Sequence, residues 1–164
     1  MVQVRVAGVA LDGAGEHVIL LKPIDAIPGE GRILPIWIGV QEATSILIAI
    51  EGAHPPRPLA HDLMRALLAG LDATVDRVEV TRIEDGTFYA EVTVSAAGAV
   101  RRIDARPSDA VALASRTGSP IWVADEVLAE AGVPDVLGEA EDAEENVEEF
   151  RRFIDAVDPE DFRE

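Results

Sequence analysis

Residues 87–114, TFYAEVTVSAAGAVRRIDARPSDAVALA, predict two strands followed directly by the start of a helix. The first part alternates apolar and polar side chains with the period of two that a half-buried strand requires. Gly98 predicts a turn into a second strand over 100–106. Pro107 predicts the first position of a helix, where a residue without an N–H group loses no hydrogen bond. A strand pair that leads into a helix is typical of an α+β fold.

The chain just upstream adds a third strand to this pair. Asp85-Gly86 is a tight-turn signal between predicted strands at 75–83 and 87–96. Because residues on these strands alternate in character, we expect an antiparallel meander with one apolar and one polar face.

Further elements are predicted on both sides of the meander. Short apolar or alternating runs predict strands at 2–6, 17–21, 33–38 and 121–123. Helical spacing of apolar residues predicts helices at 40–50, 59–71, 107–117 and 125–131. Of these, 59–71 has the clearest apolar stripe, with His61, Asp62 and Arg65 on the opposite face.

We therefore expect a single α+β domain over 1–131, with an antiparallel or mixed sheet packed against helices. A linker and an acidic C-terminal helix are expected over 132–164. Segments 34–38 and 119–123 resemble each other, and each precedes a predicted helix. Internal duplication of a strand–helix unit is one interpretation, and convergence of short apolar strands is the other.

Composition and charge limit the classes of function. The chain has 164 residues, 48% of them hydrophobic, no cysteine and a net charge of −17. Disulfides, thiolate metal sites and a cysteine nucleophile are therefore excluded. Residues 139–164 hold twelve acidic residues against three arginines, and the rest of the chain is also acidic. Such a field does not attract nucleic acid strongly. No signal peptide or membrane-spanning run is recognisable, so we expect a cytoplasmic protein without membrane contact.

Two clusters of ionisable side chains lie beside prolines. The first is HPPRPLAHD at 54–62 and the second is DARPSD at 104–109. We expect Pro58, like Pro107, to start a helix, which would place each cluster at a helix N-terminus, where backbone N–H groups point outward. These clusters are the candidate functional site.

Hydrolysis of a phosphodiester would use these residue types in distinct roles. Carboxylates hold a divalent metal such as Mg or Mn, imidazoles move protons, and guanidinium groups bind phosphate through paired hydrogen bonds. The candidate catalytic residues are His54, His61, Asp62, Asp104 and Asp109. The candidate metal ligands are Asp62, Asp104, Asp109 and Glu42. The candidate substrate-binding residues are Arg57, Arg106 and Ser108.

Each candidate also has a purely structural interpretation. A carboxylate in the first turn of a helix, as expected for Asp62 and Asp109, interacts favourably with the helix dipole whatever the function. Ser108 is a common capping residue type. Arg106, paired with Asp104 or Asp109, would tie a strand to a helix. The enzymatic interpretation therefore depends on convergence of the two clusters.

Motifs for other chemistry do not occur in the sequence. It contains no Gly-rich phosphate-binding loop with Lys-Ser/Thr, no dinucleotide fingerprint, no His-Glu-x-x-His helix and no Gly-x-Ser-x-Gly turn. We expect no organic cofactor. His17 is expected to be an exposed strand residue, and Trp37 and Trp122 are expected in the core.

Five motifs in sequence order resemble the bifunctional nuclease domain family. They are LPIWIG with the following Glu42-Ala43, then PRP at 56–58, HDL at 61–63, TFYA at 87–90 and DARPSDAVALA at 104–114. The resemblance covers about 2–131. It implies an α+β fold, a homo-oligomer (dimer or trimer) and cleavage of DNA and RNA. Many relatives carry a C-terminal helical-hairpin motif, and an acidic helix is expected in its place here.

We therefore expect a nuclease that binds nucleic acid weakly and hydrolyses its phosphodiester bonds with the help of a metal. The alternative is a non-catalytic oligomeric module that uses its Arg–Asp clusters to hold a small anion or to fix subunit contacts. Carboxylates that converge in an open cleft would favour the enzyme. Clusters that are paired off and buried at a subunit interface would favour the module.

Overall fold

The computed structural model describes residues 1–135, which form one mixed β-sheet and the helices that cover it. The strands are β1 (Val2–Leu11), β2 (His17–Pro23), β3 (Arg32–Ile38), β4 (Thr74–Glu84), β5 (Thr87–Ala96), β6 (Ala99–Ala105), β7 (Ile121–Val123) and β8 (Val133–Pro134). The helices are α1 (Val40–Ile50), α2 (Ala60–Gly70), α3 (Pro107–Thr117) and α4 (Asp125–Ala131). The predicted α+β class is confirmed.

The strand order in the sheet is β6-β5-β4-β7-β1-β2-β3-β8. The predicted meander β4-β5-β6 is confirmed, with Val80 opposite Ala90 and Val92 opposite Ile103. Its first turn is tight because Asp85 and Gly86 both adopt positive φ, at 49° and 75°, as this hairpin type requires. In the described sheet, only the pairing of β4 with β7 is parallel.

The sheet is symmetric in its connections about β7. On one side lies the meander β1-β2-β3, and on the other lies the meander β4-β5-β6. A single residue joins each meander to its helix: Gly39 precedes α1 and Arg106 precedes α3. The repeated unit is therefore a meander with its helix. Segments 34–38 and 119–123 do not occupy equivalent positions, since β3 lies near an edge and β7 lies at the centre.

The core lies between the sheet and the helices. α1 and α3 pack against each other, and α3 also packs on β4 and β5. Small side chains such as Ala110 and Ala114 line the buried side of α3, which lets this helix approach its neighbours closely. The two helix N-termini, each of which follows the outer strand of a meander, are therefore held on one framework.

Helix α2 packs into the fold with the side that carries His61 and Asp62. Its leucine stripe faces solvent: Leu63, Leu67 and Leu71 are 51%, 58% and 75% exposed. The buried residue of the helix is instead His61, because the polar side of α2 packs against α3. Pro58 also does not start the helix, since Leu59 is the N-cap and Ala60 is the first helical residue.

The chain after residue 131 begins inside the fold. Val133–Pro134 forms β8, which pairs with β3 at Ile33 and Arg32. The domain therefore extends beyond the predicted boundary at 131. The acidic helix predicted near the C-terminus lies outside the described residues. No helix in the described range 1–135 is long and apolar enough to cross a bilayer.

Candidate functional site

Three helices present a carboxylate in the first turn, at the third helical position. These residues are Glu42 in α1, Asp62 in α2 and Asp109 in α3. An acidic side chain is favourable there because the helix N-terminus carries partial positive charge. A cleft of about 600 Å³ opens between the three helices, and its lining includes Glu42 and Asp109. The preference of acidic side chains for the first turn of a helix thus brings the carboxylates of Glu42 and Asp109 into one cleft.

His61 lies at the base of this cleft, at the second position of α2. Its side chain is only 7% exposed. Nε2 lies 2.8 Å from Asp109 Oδ1, and Nδ1 lies 2.6 Å from Ser45 Oγ on α1. One imidazole therefore connects all three helices, and both of its nitrogens are engaged.

Arg106 lies at the mouth of the cleft and bridges two carboxylates. Its guanidinium donates to Asp109 Oδ2 at 2.8 Å and to Glu42 Oε1 at 2.9 Å. The side chain is 55% exposed, so a ligand in solution can reach it. Gly39 gives Glu42 the room to approach, because a Cβ at residue 39 would lie 2.3 Å from Glu42 Oε2.

Asp109 is the acidic centre of this arrangement. Burial raises the pKa of Asp109, but hydrogen bonds from Arg106 and His61 outweigh that effect and hold the pKa below its usual value. An ionised carboxylate only accepts hydrogen bonds, so Nε2 of His61 carries a proton. In the neutral imidazole, Nδ1 is then an acceptor, and the Ser45 hydroxyl donates to it.

Asp62 lies beside His61 in the sequence but belongs to a separate, structural contact. Arg116 Nε donates to Asp62 Oδ1 at 2.8 Å, and the N–H of Leu59 donates to Oδ2 at 3.0 Å. The Arg116 guanidinium is the main reason why the pKa of Asp62 lies below its usual value, and the Leu59 N–H adds to it. Asp62 therefore caps α2 and joins it to α3.

The predicted metal ligands do not form a metal site as they stand. Glu42 and Asp109 bind Arg106, and Asp62 binds Arg116. Asp104 pairs with Glu91 across β5 and β6, and it lines a separate groove with Asp109, outside the cleft that contains His61. Within residues 1–135, no three His, Asp or Glu side chains are close enough together to share an ion.

Three further candidates lie outside the cleft. His54 and Arg57 are in the exposed loop between α1 and α2, and neither is among the residues that line the cleft. Ser108 is fully buried at the second position of α3, and the N-cap is Arg106. The capping role considered for Ser108 is therefore wrong, and Ser108 is not among the residues that line the cleft. Of the predicted residues, the structure brings together Glu42, His61, Arg106 and Asp109.

Two residues of the site, Ser45 and Arg116, were not predicted. His17 was predicted only as an exposed strand residue. Ser45 lies on the buried side of α1 beside Ala43 and Ile46. A single hydroxyl among apolar residues at helical spacing is the feature of the sequence that could have identified it. Arg116 is buried at 4% exposure in the last turn of α3, where a basic residue is common for dipole reasons alone. His17 lines a second cleft of about 410 Å³ that also contains Gly39 and Arg106.

Comparison with known proteins places these residues in a recognised family. Residues 20–135 match the bifunctional nuclease domain. An uncharacterized protein of Mycobacterium tuberculosis is 40% identical in an alignment 169 positions long that covers 99% of each chain. Bifunctional nuclease 1 of Oryza sativa subsp. japonica is 27% identical and that of Arabidopsis thaliana is 28% identical, each in an alignment 115 positions long. These alignments cover 68% of this chain and 34% of each plant protein.

Proposed function

Because the chain belongs to the bifunctional nuclease domain family, we propose that it hydrolyses phosphodiester bonds of DNA and RNA in the cleft between α1, α2 and α3. The observation that carries the proposal is the continuous contact of His61, Asp109 and Arg106 in one open cleft. It combines a group that moves protons, a carboxylate that orients it and a cation that reaches solvent.

Each of the three side chains has a role that its position supports. Arg106 is planar, permanently charged and exposed at the mouth, so it suits the non-bridging oxygens of a phosphate. His61 is held by hydrogen bonds on both sides, which fixes the plane of its ring. Asp109 keeps the proton on Nε2 and would stabilise the imidazolium that forms when His61 takes up a second proton.

The charge of the chain supports weak binding of nucleic acid. Two carboxylates flank Arg106, and the whole chain carries −17. A phosphate that approaches Arg106 therefore competes with Glu42 and Asp109 for the same N–H donors. We expect nucleic acid to be a transient substrate rather than a stably bound partner.

The proposal is tested by cleavage of a labelled single-stranded oligonucleotide with highly purified protein. Loss of a positioned proton-transfer group costs about 100-fold or more in rate. We therefore expect His61→Gln and Asp109→Asn each to lower cleavage by at least about 100-fold, because the first removes the imidazole and the second removes the negative charge that keeps the proton on Nε2. Asp25→Asn, in the exposed loop after β2, is the control for loss of one negative charge and should cleave at the wild-type rate.

The same assay tests the predicted metal and the predicted role of Asp104. Cleavage by each protein is measured with Mg, with Mn and with a chelator. The variant Asp104→Asn is measured in the same way beside Asp109→Asn. A loss confined to Asp109→Asn agrees with a site on the helices. Equal losses in both variants would include Asp104 in the site, as the sequence predicts. Cleavage that is unchanged in His61→Gln and Asp109→Asn would contradict the proposal.

A second function is favoured by one observation, the pairing of every first-turn carboxylate of α1, α2 and α3 with an arginine. Such pairing also suits a non-catalytic module that holds a small anion at Arg106. Absence of cleavage by the wild-type protein, together with inorganic phosphate binding that Arg106→Gln abolishes in calorimetry, would support this module.

A further inference from the structure

The Ser45 hydroxyl differs from its neighbours in the helices. Thr44, Ser115 and Thr117 each donate to the carbonyl oxygen four residues earlier, at 2.8, 2.8 and 3.1 Å. This is the usual local bond of a hydroxyl inside a helix. Ser45 Oγ instead lies 2.6 Å from Nδ1 of His61, on another helix. The hydroxyl is therefore directed at the imidazole, and it lines the cleft.

The two hydrogen bonds of the His61 imidazole determine which neighbouring group can give it a proton. Nε2 carries a proton that Asp109 binds, so Nδ1 is the basic atom of the neutral ring. The group bound to Nδ1 is the Ser45 hydroxyl. A proton taken up by His61 in this arrangement therefore comes from Ser45. A hydroxyl, an imidazole and an orienting carboxylate in that order are the components of an activated serine nucleophile.

We propose that Ser45 is the nucleophile of this site, and that it forms a covalent phosphoserine with the substrate. The inference rests on the proposed function for its substrate class, a phosphodiester, but the reactivity of the Ser45 hydroxyl does not depend on it. Arg106 at the mouth of the same cleft lies on the side from which the phosphate would enter, and it would bind the non-bridging oxygens.

The reaction has two balanced steps. In the first, Ser45 Oγ bonds to phosphorus as its proton passes to His61 Nδ1, and the bond from phosphorus to the leaving oxygen breaks. That oxygen departs on the side of phosphorus opposite Ser45 as a free hydroxyl, with a proton from a water molecule on that side, which becomes hydroxide. In the second step, this hydroxide attacks phosphorus from the side opposite Ser45. The bond from phosphorus to Ser45 breaks, Ser45 recovers its proton from Nδ1, and a phosphomonoester is released.

The test uses a fluorophosphonate reporter, whose phosphorus bonds to an activated serine with loss of fluoride. We expect the folded wild-type protein to gain one label, and peptide mass spectrometry to place it on Ser45. Ser45→Ala should lose the label, and Asp109→Asn should react about 100-fold more slowly because its imidazole is no longer oriented. Ser115→Ala, which removes a hydroxyl bonded only within its own helix, should be labelled like the wild type. Circular dichroism confirms that each variant is folded.

The outcomes separate this inference from the proposed function. Absence of label from Ser45 in the folded wild-type protein would overturn the inference, whatever the cleavage assay shows. Cleavage that Ser45→Ala retains in full would also overturn it and leave the nuclease proposal standing. Label on Ser45 in a protein that cleaves no oligonucleotide would support an activated serine and contradict the nuclease.

Discussion

At the scale of single residues, Arg116 supports the cleft without lining it. Its guanidinium bonds to Asp62 on α2 at 2.8 Å, to the carbonyl of Ser45 on α1 at 3.1 Å and to the carbonyl of Ala112 on its own helix at 2.9 Å. One buried side chain thus fixes α1 and α2 relative to α3. Because His61 makes contacts with both α1 and α3, its geometry depends on this arginine.

Arg116→Ala should lower the free energy of unfolding by about 3 kcal/mol, because it leaves the mostly enclosed Asp62 carboxylate without its charge partner. Urea denaturation measures the change. Arg57→Ala, in the exposed loop between α1 and α2, serves as the control for loss of a positive charge. A change below about 1 kcal/mol in Arg116→Ala would contradict the role given to this ion pair.

The same ion pair predicts how stability depends on pH. Hydrogen bonds from Arg116 and from the N–H of Leu59 hold the pKa of Asp62 in the folded chain below its ordinary value. A carboxyl group shifted in this direction adds stability that is complete above its unfolded pKa and is lost as the pH falls through the folded value. We expect the wild type to lose stability below about pH 4 more steeply than Asp62→Asn does. Parallel curves in thermal melts between pH 2.5 and 6 would contradict this.

At the scale of elements, a buried ion pair attaches the last described strand to the sheet. Lys22, near the end of β2, pairs with Asp135, the residue after β8, and their side chains are 6% and 1% exposed. The N–H of Asp135 also donates to the carbonyl of Gly31, just before β3. These contacts hold β8 against β3 although β8 has only two residues.

Lys22→Met should lower the free energy of unfolding by about 3 to 5 kcal/mol, since it leaves the Asp135 carboxylate buried without its cation. The double variant Lys22→Met/Asp135→Leu removes both charges and should recover most of that loss, as paired buried charges often contribute little net stability. Chemical denaturation of the single and double variants checks both values. A double variant as unstable as Lys22→Met would show that the ion pair itself is required.

Individual elements were predicted from the sequence more successfully than the contacts between them. Short sequence motifs predict an element correctly where neighbouring residues alone determine it. Asp85 and Gly86 adopt the positive φ of the predicted hairpin turn, and Pro107 starts α3 as predicted. The apolar stripe of α2 was predicted, but a periodic stripe does not say which side of the helix packs inward. Ser45 and His61 are sixteen residues apart in the chain, so only the packing of α1 and α2 against α3 could bring them together.

At the scale of the whole molecule, an apolar surface extends from α2 to the edge of the sheet. A groove of about 400 Å³ there is lined by Met64, Leu67 and Ile103, among others. β6 is the outermost strand of the described sheet on this side, so one row of its backbone groups faces solvent. We propose that a second copy of the chain covers this surface. Two β6 strands paired antiparallel about Ile103 would place Arg102 opposite Asp104 in each direction.

Light scattering after size-exclusion chromatography tests this dimer. We expect the full chain to have twice its monomer mass, and Leu67→Glu to shift it to the monomer, because a charge on the buried apolar surface is costly. Ile27→Glu, at another exposed apolar residue in the loop after β2, should leave the mass unchanged. A monomeric wild type, or a dimer that survives Leu67→Glu, would contradict the proposal.

The symmetric connections about β7 give the cleft two related halves that are not interchangeable. Glu42 and Asp109 occupy corresponding places, three residues after the junction of meander and helix, but one junction holds Gly39 and the other holds Arg106. A side chain at residue 39 would collide with the Glu42 carboxylate. The two meander–helix units therefore supply two acids at corresponding positions. Arg106 has no side-chain counterpart at Gly39. The difference between Gly39 and Arg106 makes the two halves of the cleft chemically distinct.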